Sequence, residues 1–194
     1  MTLDEKLPIF IIITLLPVFA VAYYLHPRIA EMEWSPLVVS GILAASSLVL
    51  LISDYFSRKS KAIYDWNWYG ALVVGVVQAT AIIPGWDYLT SILIVALFFN
   101  FRRDAATKFA YFVLTPLLLT HAIYFLKDID FHSPSPMPDL SWFSLAIATI
   151  VSFAVSLLTI GGFMKHVQQN GMRQYVLYRW ALAIGVCVVT WYRS

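Results

Sequence analysis

An apolar run broken in its middle constrains this chain more than any other feature. Residues 75–100 read GVVQATAIIPGWDYLTSILIVALFFN, with Pro84-Gly85 interrupting the block. Each side of the break is only about 10 to 15 residues, whereas a helix crossing the hydrocarbon core needs about 20. Proline lacks a backbone donor and its ring clashes with the preceding turn, so the helix is predicted to stop near Ile83. Gly85 opens backbone conformations closed to other residues. Asp87 is placed to cap a second short helix from about Tyr88, with Thr90 at its third position. The pattern predicts a helical hairpin that enters the membrane and returns. Irregular backbone at that depth persists only inside protein or against a wet cavity, which makes the break the first place to look for function.

Composition places the hairpin in a bilayer. Of 194 residues, 60% are hydrophobic and 12% charged, against about 25% charged in a soluble domain. A net charge of +2, with no basic stripe interleaved with aromatics, argues against a nucleic-acid partner. The lone Cys187 has no intrachain partner and reads as a small buried hydrophobe. The opening MTLDEKLPIF is acidic where a secretory signal would be basic, so the first apolar block is expected to be retained as a span.

The chain reads as a single polytopic membrane domain over residues 1–194. Spans are expected at about 8–25, 36–53, 105–126, 140–163 and 174–192, with the broken hairpin at about 69–100 (Gly70 to Asn100). The fold class is thus an all-α membrane protein, with five transmembrane helices and one re-entrant helical hairpin. Pro17 is expected to kink the first span and His26-Pro27 to end it. Gly41 and Ala45, four apart in the second, would permit close helix approach. Trp66, Trp68 and Tyr69 read as an interfacial aromatic cluster. Lys127 to Asp139, with Pro134, Pro136 and Pro138, reads as a non-helical acidic loop, and Met164 to Arg173 as a basic loop.

Charge sets the expected orientation. Lys6, Arg58, Lys59, Lys61, Arg102, Arg103, Lys108, Lys165 and Arg173 fall on one side, and Arg28, Lys127 and Arg193 on the other. Nine cations against three, with Arg179 inside a span and uncounted, put the N-terminus in the cytoplasm. Arg58, Lys59 and Lys61 serve that signal first, and contact with anionic lipid second.

Gly75-x-x-Gln78, Ile83-Pro84-Gly85, Arg103-x-Ala105-Ala106 and Phe109 through Pro116 together resemble the undecaprenyl pyrophosphate phosphatase (BacA-type) family. Tyr178-Arg179 before an apolar helix, and Leu16-Pro17 with His26 after it, fit the same pattern. The resemblance runs over essentially the whole chain but covers about the last two-thirds of a family member. It implies inverted repeats with re-entrant pairs, and dephosphorylation of the C55 isoprenoid pyrophosphate carrier of cell-wall synthesis. It also implies localisation in a bacterial inner membrane.

Two motifs carry that family's chemistry, a glutamate-rich N-terminal segment and a Pro-Gly-x-Ser-Arg-Ser-Gly turn. The first is expected to lie ahead of Met1. In the second, Pro84-Gly85-Trp86 is followed here by Asp87, Tyr88, Leu89 and Thr90. Tyrosine cannot supply the planar fork with which arginine grips a pyrophosphate. A carboxylate beside a phosphate at about 4 Å costs roughly 4 kcal/mol at an effective dielectric of 20. Phosphoryl transfer is mostly positioning and charge neutralisation, so a non-catalytic relative is expected, acting as a lipid-binding or scaffold subunit. An active diphosphatase with a partner supplying glutamates, and a polyprenyl-phosphate translocase, are the alternatives. Faces left open by an absent repeat predict a homo-oligomer or a hetero-complex with other membrane proteins, and a membrane lipid such as a polyprenyl phosphate as ligand.

The candidate polar-site residues are Gln78, Pro84, Gly85, Trp86, Asp87, Tyr88, Thr90, Ser91 and Arg179. Each has a plainer reading. Asp87 either caps a half-helix or acts as an intramembrane carboxylate, binding a cation or pairing with Arg179. Gln78 faces a headgroup or bonds a neighbouring helix. Thr90 and Ser91 bond their own backbone or line a site. Trp86 and Tyr88 pack at the turn or shape an isoprenoid groove. Arg179, costly within a span, has a structural partner or binds phosphate. His121 bonds a carbonyl or relays a proton, the carbonyl bond being the plainer reading. His26, His132 and His166 read as loop residues, without metal-ligand spacing, and no cofactor is implied.

Overall fold

The computed structural model describes residues 3–128 and 142–193. Among these, seven α-helices follow in order: α1 Leu3–Ala30, α2 Pro36–Phe56, α3 Trp68–Ala79, α4 Tyr88–Phe98, α5 Arg103–Asp128, α6 Trp142–Asn170 and α7 Arg173–Arg193. Five contain segments long and apolar enough to cross a bilayer: Lys6–Leu25, Pro36–Phe56, Arg103–Ile123, Phe143–Val167 and Arg173–Tyr192. Between α2 and α5 lie the two short helices. At 12 and 11 residues, each reaches only about half the hydrocarbon thickness. The all-α membrane architecture expected from the sequence is the one observed.

The half-helix α4 is the centre of the bundle. Its residues from Thr90 to Leu97 are buried on every side, as a helix apolar all round must be. It packs against α2, α3 and α5. α3 in turn lies on α1. A β-carbon on Gly75 would stand 2.3 Å from the Thr14 carbonyl oxygen and 3.1 Å from the Pro17 ring, so only glycine permits this approach. Thr14, fully buried, spans the same contact, its one hydroxyl proton shared between the carbonyls of Phe10 (2.8 Å) and Ala71 (3.1 Å). α2 carries α7 on another side.

The segment joining α2 to α3 is anchored to the α4–α5 turn. Ser60 and Lys61 donate backbone N–H to the Asn100 carbonyl at 2.9 and 3.0 Å, and Arg102 donates to Lys61 at 2.8 Å. Trp66 stacks between Phe101 and Phe109, with ring centroids 4.1 and 4.0 Å away. Against expectation, Trp66 is therefore core, 5% exposed, and of the three aromatics only Trp68 and Tyr69 face outward. Trp66 falls between the apolar runs in sequence, and only the folded linker brings it back onto α5.

Further expectations are corrected. His26-Pro27 does not end α1, which continues to Ala30; a proline costs one hydrogen bond, which a helix beyond the bilayer can lose. Met164 to Arg173 is not a loop, since α6 runs to Asn170 and α7 starts at Arg173. Hydropathy reports where the membrane ends, whereas Lys165 and the glutamines that follow still favour helix. Gly41 meets nothing within 4 Å and Ala45 is exposed, so this pair makes no internal helix contact. Cys187 is partly exposed, its sulfur 3.1 Å from Ser40 Oγ. Lys127 and Asp128 belong to α5; the remainder of the proline-rich segment, with His132, lies outside the described residues.

Candidate functional site

The hairpin break is assembled from ordinary turn chemistry. α3 gives way to a 3-10 turn at Thr80–Ile82, and Ile83 is extended. The Trp86 N–H then donates to the Ile83 carbonyl at 3.1 Å. With Pro84 second and Gly85 third at φ +93°, this is a type II turn, which demands a positive φ at its third position. A β-carbon on Gly85 would also stand 2.5 Å from the Val39 carbonyl oxygen of α2. The turn is thus pressed onto a neighbouring helix.

Asp87 starts α4. One carboxylate oxygen accepts the Thr90 N–H at 2.9 Å, satisfying an orphan donor of the first helical turn. Ser91 Oγ donates to the Asp87 carbonyl at 3.0 Å and receives the Trp86 indole N–H at 2.7 Å. Thr90 and Ser91 are both fully buried.

The other carboxylate oxygen of Asp87 accepts from Arg179 of α7. Arg179 is 3% exposed, and its guanidinium joins four parts of the fold. Nη1 contacts Asp87 Oδ1, Thr90 Oγ1 and, at 3.2 Å, the Tyr175 hydroxyl. Nη2 donates to Ser46 Oγ of α2 at 2.9 Å and reaches the Gly85 carbonyl at 3.4 Å. The two terminal nitrogens carry four hydrogens between them, all of which have acceptors here. Only the buried Nε–H lacks a partner among the described residues. The neighbouring Trp180 indole donates to the Ala44 carbonyl at 3.3 Å, fastening α7 to α2 one residue on.

Asp87 is therefore both cap and ion-pair partner. The chemistry this permits is limited. An incoming phosphate would have to displace Asp87, Ser46 and the turn carbonyl together before the guanidinium fork could engage it.

The remaining candidates are spread around this cluster. Tyr88 stands beside the His121 ring, centroids 6.0 Å apart, and His121 Nδ1 lies 2.9 Å from the Leu117 carbonyl oxygen. Gln78 on α3 is fully buried, and neither its amide nitrogen nor its oxygen has a hydrogen-bond partner among the described residues. No group of three or more His, Cys, Asp or Glu among the described residues is arranged to hold a metal.

A second charged cluster was not anticipated from the sequence. Arg103, opening α5, donates Nε and Nη2 to the two oxygens of Asp54 at 2.8 Å each. Lys59 adds Nζ 3.6 Å from Asp54 Oδ1 and donates to the Asp54 carbonyl at 2.6 Å. Asp54 is 7% exposed. It reads in sequence as the first polar residue of a linker, yet it sits in the last turn of α2. A carboxylate closing an apolar run of membrane-spanning length was the available signal, because such a position demands a cation.

The comparisons with known proteins agree on a family. The family model described as bacitracin resistance protein BacA matches residues 2–185. A protein of Mycobacterium leprae (strain Br4923) named undecaprenyl-diphosphatase is 29% identical over 152 residues, covering 78% of this chain and 54% of the relative. The chain thus spans about half the length of the curated relative it matches. It belongs to the BacA family and is an undecaprenyl-diphosphatase-like integral membrane protein.

Proposed function

We propose that this chain keeps the membrane fold of its family without the phosphatase chemistry, and acts as a lipid-binding or scaffold subunit of a membrane complex. The observation that carries the reading is the commitment of Arg179 to Asp87 at the hairpin break. The position expected to receive a phosphate holds a carboxylate instead, and both terminal nitrogens of the nearest buried cation are taken up by protein acceptors. A polyprenyl phosphate is the lipid best matched to the family, bound by its isoprenoid chain along Trp86 and Tyr88 rather than through a charged clamp.

In this reading the protein is one polytopic unit of a bacterial inner membrane, with the N-terminus and the cation-rich helix ends in the cytoplasm. Complex formation is supported by α6, in which none of residues 143–166 is buried. Such a face suits lipid, a second copy of the chain or another membrane protein.

One observation favours a second reading. The Mycobacterium leprae relative is named a diphosphatase, which fits an active enzyme whose remaining carboxylates come from another polypeptide. The experiment is purification with everything that accompanies the chain, followed by mass spectrometry of lipids and partners. Phosphate release from undecaprenyl pyrophosphate is assayed on the same sample, with an active family member as control. No release, with a retained lipid or partner, supports the scaffold. Release that disappears on Arg179→Ala establishes the enzyme instead.

A further inference from the structure

We propose that the cleft where α2, α5 and α7 end together binds the phosphate headgroup of an anionic phospholipid. This site is separate from the hairpin break. Asp54 lies two helical turns along α2 from Ser46, roughly 12 Å at the rise of an α-helix. The proposal does not depend on whether the break retains chemistry.

The cleft holds about 500 Å³ and is lined by the apolar Leu51, Ile52, Tyr55 and Phe56 together with the charged Asp54, Lys59, Arg103 and Arg173. A second cleft of about 360 Å³ shares Lys59 and Arg103 and adds Arg102 and Asp104. The charges do not cancel. Lys59, Arg102, Arg103 and Arg173 face only Asp54 and Asp104, an excess of two positive charges over the pair of clefts. Asp54 is consumed by the bidentate bond from Arg103, and Asp104 by Arg102 at 3.1 Å. Arg173 has no carboxylate partner among the described residues.

The fold maintains this excess deliberately at close quarters. Gly171, at φ +74°, lets the chain turn from α6 into α7 directly over Arg103, whose Nη2 would stand 2.7 Å from a β-carbon there. The same turn delivers Arg173 to the cleft. Arg103 and Arg173 also sit at the first residues of α5 and α7, where the helix dipoles add further positive potential.

The apolar wall decides the source of the phosphate. Tyr55 is 83% and Phe56 70% exposed, and both stand at the end of a membrane-spanning helix beside the cations. Exposed rings against a cationic floor fit a ligand with acyl chains and an anionic head, which dissolved phosphate would leave half unused. Clusters of lysine and arginine next to a span recognise anionic headgroups by the same physics.

The test uses the whole protein, delipidated in a neutral detergent. Binding is read by native mass spectrometry and by the shift in unfolding temperature, with phosphatidylglycerol, phosphatidylcholine and inorganic phosphate as probes. Phosphatidylglycerol is expected to bind and stabilise, and phosphatidylcholine to bind at least about fivefold more weakly, the worth of a single juxtamembrane cation. Arg173→Gln, an exposed residue outside every ion pair of the described fold, is expected to lower phosphatidylglycerol affinity by a similar factor. Arg28→Gln, an exposed cation at the opposite helix ends, is expected to leave it unchanged. Equal effects of the two substitutions, or equal binding of both lipids, would overturn the proposal. Inorganic phosphate displacing the lipid at millimolar concentration would show a free-anion site, and would overturn the assignment to a lipid.

Discussion

Arg179 and Asp87, ninety-two residues apart in sequence, meet where the short helices α3 and α4 are separated by the Pro84-Gly85 turn. Asp87 divides its two oxygens between the α4 backbone and the α7 guanidinium. The same carboxylate therefore starts one helix and holds another. A buried cation with several acceptors is stable only while those acceptors stay in place, and three of them belong to the break or to α4.

Asp87→Ala is expected to be strongly destabilising. It removes an N-cap worth about 1 kcal/mol and leaves a buried guanidinium short of its counter-charge. Because the Asp87 side chain is 39% exposed, the total should fall near the lower end of the range for broken buried pairs, about 3 kcal/mol. Denaturant unfolding in detergent measures it. Asp87→Asn should cost less, since its side-chain oxygen can still cap.

Asp87→Ala and Arg179→Met together should cost less than the sum of the single changes. A double-mutant cycle on unfolding free energy is expected to give a coupling of at least about 1 kcal/mol, as for groups in direct contact. Additive effects would mean that the two side chains act separately.

Gly85→Ala is expected to destabilise by about 1–3 kcal/mol, from the left-handed φ and from the β-carbon driven into the Val39 carbonyl. Gly41→Ala, where a β-carbon meets nothing within 4 Å, is the control and should be neutral or slightly stabilising, as in any helix interior. Unfolding temperatures of the two variants check this.

The local parts of this arrangement were legible in the sequence, and the long-range parts were not. Pro84-Gly85 stops a helix and Asp87-x-x-Thr90 starts one by rules that operate within four residues, so the break was readable residue by residue. Arg179 within an apolar run announced that it had a partner, and Asp87 was one candidate. Ser46 gave no sign, because a serine in a membrane helix bonds its own backbone by default, as Ser46 also does to Leu43 at 3.0 Å. Asp54 and Arg103 fall just outside the apolar runs at 36–53 and 105–126, and hydropathy marks the end of the bilayer without saying which charges meet there. Trp66 was misplaced for a related reason. Its neighbours on both sides are exposed, and only tertiary stacking on Phe101 and Phe109 makes it core.

Gln78→Leu is expected to raise stability by about 1–2 kcal/mol, because a fully buried amide without partners among the described residues keeps its desolvation cost and gains nothing in return. Thermal unfolding without added lipid reads the effect. A lower unfolding temperature would show that the amide is satisfied in the membrane by a ligand or a water, and would make Gln78 part of the site.

The most direct measurement is the affinity of the purified protein for undecaprenyl pyrophosphate, compared among wild type, Arg179→Ala and Asp87→Ala. With Arg179 committed to Asp87, the expected result is weak binding by wild type that Arg179→Ala leaves unchanged. Asp87→Ala removes the counter-charge and leaves only neutral acceptors on the guanidinium, and is expected to bind more tightly. Tight wild-type binding that collapses in Arg179→Ala would contradict this, and would mean that the pyrophosphate displaces Asp87 and uses the arginine after all.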